Sequence, residues 1–178
     1  IQNLQNGIDS NNDISSTNIE SLKKISFTSN LTDLIGSDFY IVCVPTPVNY
    51  KNEPDLRGLI KATNEISKII KKNNTVIYES TIFPGATDEI CIPIIEKNSG
   101  LEINKDFYCG YSPERINPGD KIHKLTEIKK IVSGSNNFAL NKINKLYKSI
   151  IKAGTHKVPN IKVAEAAKII ENTQRDLN

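Results

Sequence analysis

The sequence has no long hydrophobic run and few of the residues that bind metals. No apolar stretch approaches the roughly 20 residues that a membrane-spanning helix requires. The first residues also lack the charged start and apolar block of a signal peptide. Only two histidines occur, His123 and His156, and they are too scattered to predict a metal site. Together with a mean hydropathy of -0.36, these absences predict a soluble globular protein with no membrane partner.

Cysteine is scarce as well. Cys43, Cys91 and Cys109 are an odd set without a CxxC pair, which argues against a disulfide framework. Cys43 and Cys109 fall inside predicted strands. We therefore expect reduced thiols in the core of a cytoplasmic protein.

Arginine is rare among the basic side chains. Of the 23 Lys and Arg residues only three are arginines, at Arg57, Arg115 and Arg175, and the formal net charge is +3. The lysines fall mostly at the polar positions of predicted helices. This distribution indicates a solvated surface, and no nucleic-acid partner is expected.

A further absence concerns glycine spacing. No two of the nine glycines are separated by a single residue, so GxGxxG does not occur. A complete Rossmann domain normally carries that phosphate-binding turn after its first strand. Either the cofactor is not a dinucleotide, or the first βαβ unit is missing. Because the chain starts in mid-pattern at Ile1 and its last helix reaches Asn178 without a stop signal, we expect an internal piece of a longer protein.

The sequence does contain alternating strand and helix signals. Short apolar runs predict strands at 38–44, 75–79, 106–111, 129–133 and 155–158. Helical spacing predicts helices at 56–72, 84–97 with a kink or stop at Pro93, 136–152, and 160–178. A polar loop is predicted at 6–18. This alternation predicts parallel βαβ units in a Rossmann-like α/β fold, with a mostly parallel sheet flanked by helices.

Unusual polar segments follow three of the predicted strands. They are Val44-Pro45-Thr46-Pro47 after the first, Ser80-Thr81 after the second and SPERINPGD, residues 112–120, after the third. Because the carboxyl ends of parallel strands lie at one edge of a sheet, where such sheets bind ligands, the three segments are expected to meet.

Each segment also has a structural interpretation. Pro45 and Pro47 could simply stiffen a strand exit. Ser80 or Thr81 could cap the next helix, although the same geometry would offer hydroxyls and a positive helix end to a phosphate or ribose. SPERINPGD is harder to explain as a plain loop, because it holds a carboxylate, a guanidinium and an amide within four residues.

The last predicted helix places Lys168 and Asn172 four residues apart, hence on one face. Glu165 precedes Lys168 by three residues, so a surface ion pair between them is the simpler interpretation. The apolar stripe of this helix consists of Val163, Ala167, Ile170 and Leu177.

Taken in order, several motifs closely resemble those of the UDP-glucose/GDP-mannose dehydrogenase family. They are VPTP, EPDL, ESTIFPGAT, YSPERINPGD and AEAAKIIENTQRDLN. The SPERINPGD and ENTQRDLN forms are most similar to the branch that oxidises UDP-N-acetylhexosamines for bacterial surface polysaccharides. The resemblance covers the chain from about Asn6 onward.

The resemblance implies an N-terminal Rossmann domain, a long central helix that forms a homodimer, and a C-terminal sugar-binding domain. On this basis residues 1–159 are expected to be a partial NAD-binding domain, and residues 160–178 the start of the dimerisation helix. The implied reaction takes the C6 alcohol of a UDP-sugar to a carboxylate by two hydride transfers to NAD.

The resemblance also implies roles for single residues. Glu114 would position or activate the water that hydrolyses a thioester, Lys168 would stabilise the C6 alkoxide, and Asn172 would help to hold that oxygen. Substrate contacts are expected from Glu114, Arg115, Asn117, Lys168 and Asn172. Cofactor contacts are expected from Pro45, Thr46, Ser80 and Thr81, and Thr81 is also placed among the catalytic residues.

One departure from the family concerns its nucleophilic cysteine, which lies in a later glycine-rich loop. None of the three cysteines here has such a context, so the chain alone is expected to be inactive. Two other interpretations stay open. The chain could be a complete non-catalytic α/β module that binds nucleotide sugars or a partner. It could also be another hydroxy-acid dehydrogenase, which explains the sheet but not SPERINPGD together with Lys168 and Asn172.

Overall fold

The computed structural model of the chain describes residues 1–5, 24–51, 53–115 and 125–177. The chain divides into two compact units, Ile1–Ile35 and Gly36–Asn178. The first unit contains a short helix, α1 (Gln2–Gln5), and a 3-10 helix (Leu31–Leu34) whose N-terminus is capped by the side chain of Asn30. The loop predicted at 6–18 lies outside the described residues.

The second unit holds five strands among its described residues, and they form two parallel sheets. The strands β1 (Phe39–Val42), β2 (Thr75–Tyr78) and β3 (Tyr108–Tyr111) pair in that order, and β4 (Lys130–Val132) pairs with β5 (Thr155–Lys157). Val42 lies opposite Tyr78, which lies opposite Tyr111, so the first three strands end at one level. The five predicted strands are confirmed, each one to three residues shorter than expected.

Helices alternate with these strands. They are α2 (Arg57–Ile69), α3 (Ile92–Ser99), α4 (Asn137–Lys148) and α5 (Ile161–Leu177). In α2 the predicted stripe is buried at Leu59, Thr63 and Ile66, because these positions share one face of the helix. No helix among the described residues is both long and apolar enough to cross a bilayer. The alternation confirms the predicted Rossmann-like α/β fold.

The helix predicted at 84–97 begins later than expected and in a different form. A π-helical segment (Thr87–Cys91) comes first, and the Ile92 amide donates to the Thr87 carbonyl. Pro93 follows in the first turn of α3, where a residue without an N–H removes no necessary hydrogen bond. Pro93 therefore does not stop the helix, and the change from π- to α-helix comes just before it, at Ile92.

Part of the core of the second unit lies between the sheets and α4, and further buried residues lie on α2 and α3. One cluster consists of Ile77, Val132, Ile143, Tyr147 and Ile151. Gly110 on β3 allows this close packing, since a Cβ there would lie 2.3 Å from Ile143 Cδ1 and 2.4 Å from the Ser133 carbonyl oxygen. Hence any larger residue at this position would push α4 or β4 away from β3.

Hydrogen bonds join the end of β4 to the end of β3. The Ser133 amide donates to the Tyr111 carbonyl at 3.1 Å, and the Ser112 hydroxyl donates to the Ile131 carbonyl at 2.7 Å. Residues on β4 are thereby held close to the loop that follows β3, which begins at Ser112.

The last helix, α5, does not bury its predicted apolar stripe. Val163, Ile170 and Leu177 are exposed, whereas Glu165 and Lys168 are buried. The prediction that the apolar stripe is the buried face of α5 was therefore wrong for this unit. The reason is that the two charged residues on the buried face have polar partners on other elements, described below.

Candidate active site

A cavity of about 420 Å³ opens where β1 and β2 end. The residues after β1 (43–46), the residues after β2 (79–81) and Glu114, after β3, form its walls. The three polar segments that follow the parallel strands therefore meet at one place, because those strands end in register.

Neutral side chains at the ends of β1 and β2 form part of this cavity. The Thr46 hydroxyl donates to the Thr81 carbonyl and so joins the two segments. Pro45 and Thr81 are exposed, whereas Ser80 is buried and donates to the Val42 carbonyl at 3.4 Å. Neither Ser80 nor Thr81 caps a helix, because the helical segment starts only at Thr87; the capping prediction was wrong.

That helix start is capped by Glu165, which comes from α5. Its carboxylate accepts hydrogen bonds from the Gly85 amide at 2.5 Å and the Thr87 amide at 3.0 Å. Burial raises the pKa of the Glu165 carboxyl above its ordinary value, and the bonds from the two amides act against that rise. A protein carboxylate therefore accepts hydrogen bonds from amides at this helix start, the kind of donor that could otherwise bind a phosphate.

Lys168 reaches from α5 to the loop after β3. Its ammonium donates to the main-chain carbonyl of Glu114 at 2.5 Å. Lys168 is only 9% exposed and Glu165 is 0% exposed, so the interpretation as a surface ion pair was wrong. Asn172 lies one turn further along α5 and is half-buried.

Arg115 joins the same loop to the same helix. Its Nε donates to both carboxylate oxygens of Glu171 at 3.0 Å, and its Nη1 donates to the Lys129 carbonyl at 3.2 Å. The guanidinium therefore holds the loop against α5. Asn117, the other residue expected beside it, lies outside the described residues.

A buried lysine that sequence reasoning missed lies beside Glu114. The Lys130 ammonium is 3.0 Å from a carboxylate oxygen of Glu79 and 3.0 Å from one of Glu114, and its side chain is 4% exposed. Strand alternation could have found it, because Lys130 and Val132 are two residues apart and share the buried face of β4.

Cys43 lies in the cavity and is exposed, so its prediction as a core residue was wrong. Since β1 ends at Val42, Cys43 leaves the sheet, and its thiol donates to Glu79 Oε2 at 3.5 Å. Partial burial of the sulfur and the neighbouring Glu79 raise the pKa of Cys43 to about 12. The thiol is therefore protonated at neutral pH and is not an activated nucleophile.

The other two cysteines match the prediction, since Cys91 and Cys109 are buried and all three thiols are free. Within the described ranges, no group of three or more His, Cys, Asp or Glu side chains is arranged to hold a metal ion.

The cavity is large enough for part of a small-molecule ligand. Its volume falls within the range of roughly 300–1,000 Å³ that is typical of small-molecule sites. Pro45, Thr46, Ser80 and Thr81 supply uncharged and hydroxyl-bearing walls, and Glu79 and Glu114 supply carboxylates. Such oxygens can form hydrogen bonds with the hydroxyl and amide groups of a ligand.

Comparison with known proteins gives matches over almost the whole chain. Residues 11–151 match the family described as UDP-glucose/GDP-mannose dehydrogenase family, NAD binding domain. The UDP-N-acetyl-D-glucosamine 6-dehydrogenase of Pseudomonas aeruginosa is 53% identical over 178 residues, which are 100% of this chain and 42% of that protein. The chain thus spans less than half the length of this relative.

Solved structures of such dehydrogenases also superpose on almost the whole chain. A UDP-D-ManNAc dehydrogenase from Pyrococcus horikoshii superposes with a TM-score of 0.87 at 34% identity, covering 98% of this chain and 42% of that one. An NDP-N-acetyl-D-galactosaminuronic acid dehydrogenase from Methanosarcina mazei superposes with a TM-score of 0.88 at 27% identity, covering 99% and 39%.

Proposed function

The chain belongs to the UDP-glucose/GDP-mannose dehydrogenase family, and from this premise we propose that it is part of an NAD-dependent nucleotide-sugar 6-dehydrogenase. The complete protein, meaning the product of the full reading frame that contains this chain, oxidises the C6 alcohol of a UDP-N-acetylhexosamine to the uronate. It works in the cytoplasm and supplies surface-polysaccharide biosynthesis. Residues 1–159 belong to the NAD-binding domain, and residues 160–178 begin the central helix.

The contact between Lys168 and Glu114 carries this proposal. The two residues are 54 positions apart in sequence, yet the ammonium of one donates to the main chain of the other. Glu114 also lines the cavity that contains Thr46 and Thr81. A cation, a carboxylate and neutral hydroxyls are thus close together. Oxidation of an alcohol to an acid requires these groups to hold an alkoxide, move a proton and bind a hydride acceptor.

The neutral part of the cavity holds the nicotinamide end of NAD in this proposal. The contacts come from Pro45, Thr46, Ser80 and Thr81. NAD, when bound, accepts one hydride from the sugar carbon in each of the two oxidations. Thr81 is also assigned a catalytic role in this proposal, because it lines the same cavity as Glu114.

Lys168 stabilises the negative charge that develops on the C6 oxygen during the first oxidation. Its burial strengthens this interaction, because water screens a buried charge less. An ammonium carries three N–H donors, so one group can hold the Glu114 loop and meet the sugar oxygen. Asn172, one turn further along α5, donates to the same oxygen.

Glu114 acts when the thioester is hydrolysed. A water oxygen attacks the thioester carbon, the proton of that water passes to the Glu114 carboxylate, and the C–S bond breaks to release a thiolate and the uronate. The cysteine belongs to the complete protein outside this chain. Arg115 and Asn117 are further substrate contacts in this proposal.

The assay uses the complete protein with NAD and a panel of UDP-sugars, namely UDP-GlcNAc, UDP-GalNAc, UDP-ManNAc and UDP-glucose. We expect two NADH for each uronate formed from a UDP-N-acetylhexosamine. The chain alone should oxidise none of them. Inactivity of the complete protein on every UDP-sugar would contradict the proposal.

We also propose that the complete protein is a homodimer through the helix that starts with α5. The apolar side chains of Val163, Ile170 and Leu177 are exposed on this helix, and a second copy would cover them. Light scattering coupled to size exclusion should report a dimer, and replacing Ile170 with Lys should shift it toward the monomer. A monomeric wild type would contradict this part of the proposal.

A further inference from the structure

Three strand ends meet at the ammonium of Lys130. Lys130 is the first residue of β4, Glu79 directly follows β2, and Glu114 lies three residues beyond β3. The ammonium lies 3.0 Å from a carboxylate oxygen of each glutamate. A lysine that is 4% exposed is uncommon unless it is paired, so these two carboxylates explain why the charge is tolerated there.

Glu79 fixes Lys130 independently of Glu114. The Tyr147 hydroxyl donates to Glu79 Oε1 at 2.5 Å, and the Cys43 thiol donates to Glu79 Oε2 at 3.5 Å. The Lys130 ammonium also lies 5.3 Å from the centre of the Tyr147 ring, at cation–π distance. The lysine is thereby held by α4 and by the end of β2.

Hydrogen bonds hold both the side chain and the main chain of Glu114. Its Oε1 accepts from the Arg115 amide at 2.6 Å, its Oε2 accepts from Lys130 at 3.0 Å, and its main-chain oxygen accepts from Lys168. Its side chain is nevertheless 37% exposed, so water can approach the carboxylate. The contact from Lys130 is made by a side chain directly to the carboxylate.

We propose that Lys130 is a positioning residue for Glu114. It holds the carboxylate in the orientation that receives the proton of the hydrolytic water, while Glu79 and Tyr147 hold the lysine. This inference rests on the proposed function, because it assumes that Glu114 acts in thioester hydrolysis. It predicts that losing Lys130 slows hydrolysis and leaves the hydride transfers that precede it intact.

The test compares wild type, Lys130→Met, Lys130→Arg and Lys129→Met in the complete protein. Lys129 is the adjacent, exposed lysine and serves as the matched control. Lys130→Met should lower kcat about 10²-fold, the effect of a misplaced catalytic group, with little change in KM for NAD. Rapid mixing should show a burst of NADH before the slow phase. Lys130→Arg should recover part of kcat, and Lys129→Met should match wild type.

Two outcomes overturn the inference. One is turnover of Lys130→Met within about twofold of wild type. The other is slow turnover without a burst, because that places the defect in the first oxidation. If Lys130→Met does not fold, the variant Glu79→Gln/Lys130→Met removes both members of the buried pair and should give the same burst.

A second readout uses the 178-residue chain itself. The positive charge of Lys130 lowers the pKa of the Cys43 thiol, against burial and Glu79, which raise it. Lys130→Met should therefore slow alkylation of Cys43 by iodoacetamide at pH 9, and Lys129→Met should not. An unchanged rate in Lys130→Met would show that the ammonium does not sit beside Glu79, and would overturn the inference.

Different results would contradict the proposed function and the role of Lys130. If the wild-type complete protein oxidises no UDP-sugar, the proposed function fails. If the wild type is active and Glu114→Gln gives the burst but Lys130→Met does not, only the role of Lys130 fails.

Discussion

The side-chain ammonium of Lys168 donates a hydrogen bond of 2.5 Å to the main-chain carbonyl of Glu114. This bond connects the last helix to the loop after β3 within the second unit. It places the two residues with the largest proposed catalytic roles in direct contact, so the stability of the loop depends on the helix.

Replacing Lys168 with Met should destabilise the chain by about 1–3 kcal/mol, because a partly buried carbonyl loses a charged donor. Urea unfolding measures the change. Lys162→Met on the same helix is the matched control, since Lys162 forms an ion pair with Glu89 that is exposed to water, and such pairs contribute little to stability. Equal effects of the two substitutions would contradict the assigned contact.

Replacing Glu165 with Ala should cost about 2–4 kcal/mol, because the buried amides of Gly85 and Thr87 lose their acceptor. Glu165→Gln should stay closer to wild type, since its side-chain oxygen can still accept a hydrogen bond. Glu65→Ala, which breaks an exposed pair with Lys68 on α2, should change stability by less than about 1 kcal/mol. Urea unfolding curves give the unfolding free energy of each variant. An unchanged unfolding free energy in Glu165→Ala would contradict the assignment of Glu165 as the cap of this helix start.

The stability difference between wild type and Glu165→Gln should depend on pH. Burial raises the pKa of Glu165 in the folded chain, so the folded state binds this proton more tightly than the unfolded state. As pH rises through the ordinary carboxyl range, the unfolding free energy of wild type should therefore fall relative to the variant. Urea unfolding of both proteins between about pH 4 and pH 7 measures this stability difference. A flat difference, or one that grows in favour of wild type, would contradict the assignment.

The Cys43 thiol should react slowly at pH 8, since its pKa is about 12. Glu79→Gln removes a negative charge and an acceptor, so it should lower that pKa and speed alkylation about tenfold for each unit. Iodoacetamide labelling followed by mass spectrometry measures the rate at Cys43, because Cys91 and Cys109 are buried. Glu65→Gln is the control. A slower or unchanged rate in Glu79→Gln would show that the two side chains do not interact.

Local pattern predicted most of the fold. The period of Leu59, Thr63 and Ile66 identified α2 and its buried face, and the apolar run at 75–79 identified β2, because these signals depend on near neighbours in sequence. The ordered motifs then indicated the family. The start of the helical segment at Thr87 was missed, because its cap is Glu165, 78 residues away.

In the candidate site, too, contacts between residues far apart in sequence could not be predicted. The polar residues after the strands could be found because parallel strands end at one edge of a sheet. The partners of Lys130, by contrast, lie on three other elements, and only tertiary packing brings Glu79, Glu114 and Tyr147 to it. Cys43 was misplaced because an apolar run does not show at which residue a strand ends.

The most direct test of a shared site for Glu114 and Lys168 is pre-steady-state NADH formation by the complete protein with the UDP-sugar in excess over enzyme. The measurement compares wild type, Glu114→Gln, Lys168→Met and the double variant with a UDP-N-acetylhexosamine. We expect Glu114→Gln to give a rapid burst and then stall, Lys168→Met to lose the burst, and the double variant to match Lys168→Met. Near-wild-type kinetics in both single variants, or independent additive losses, would contradict the shared site.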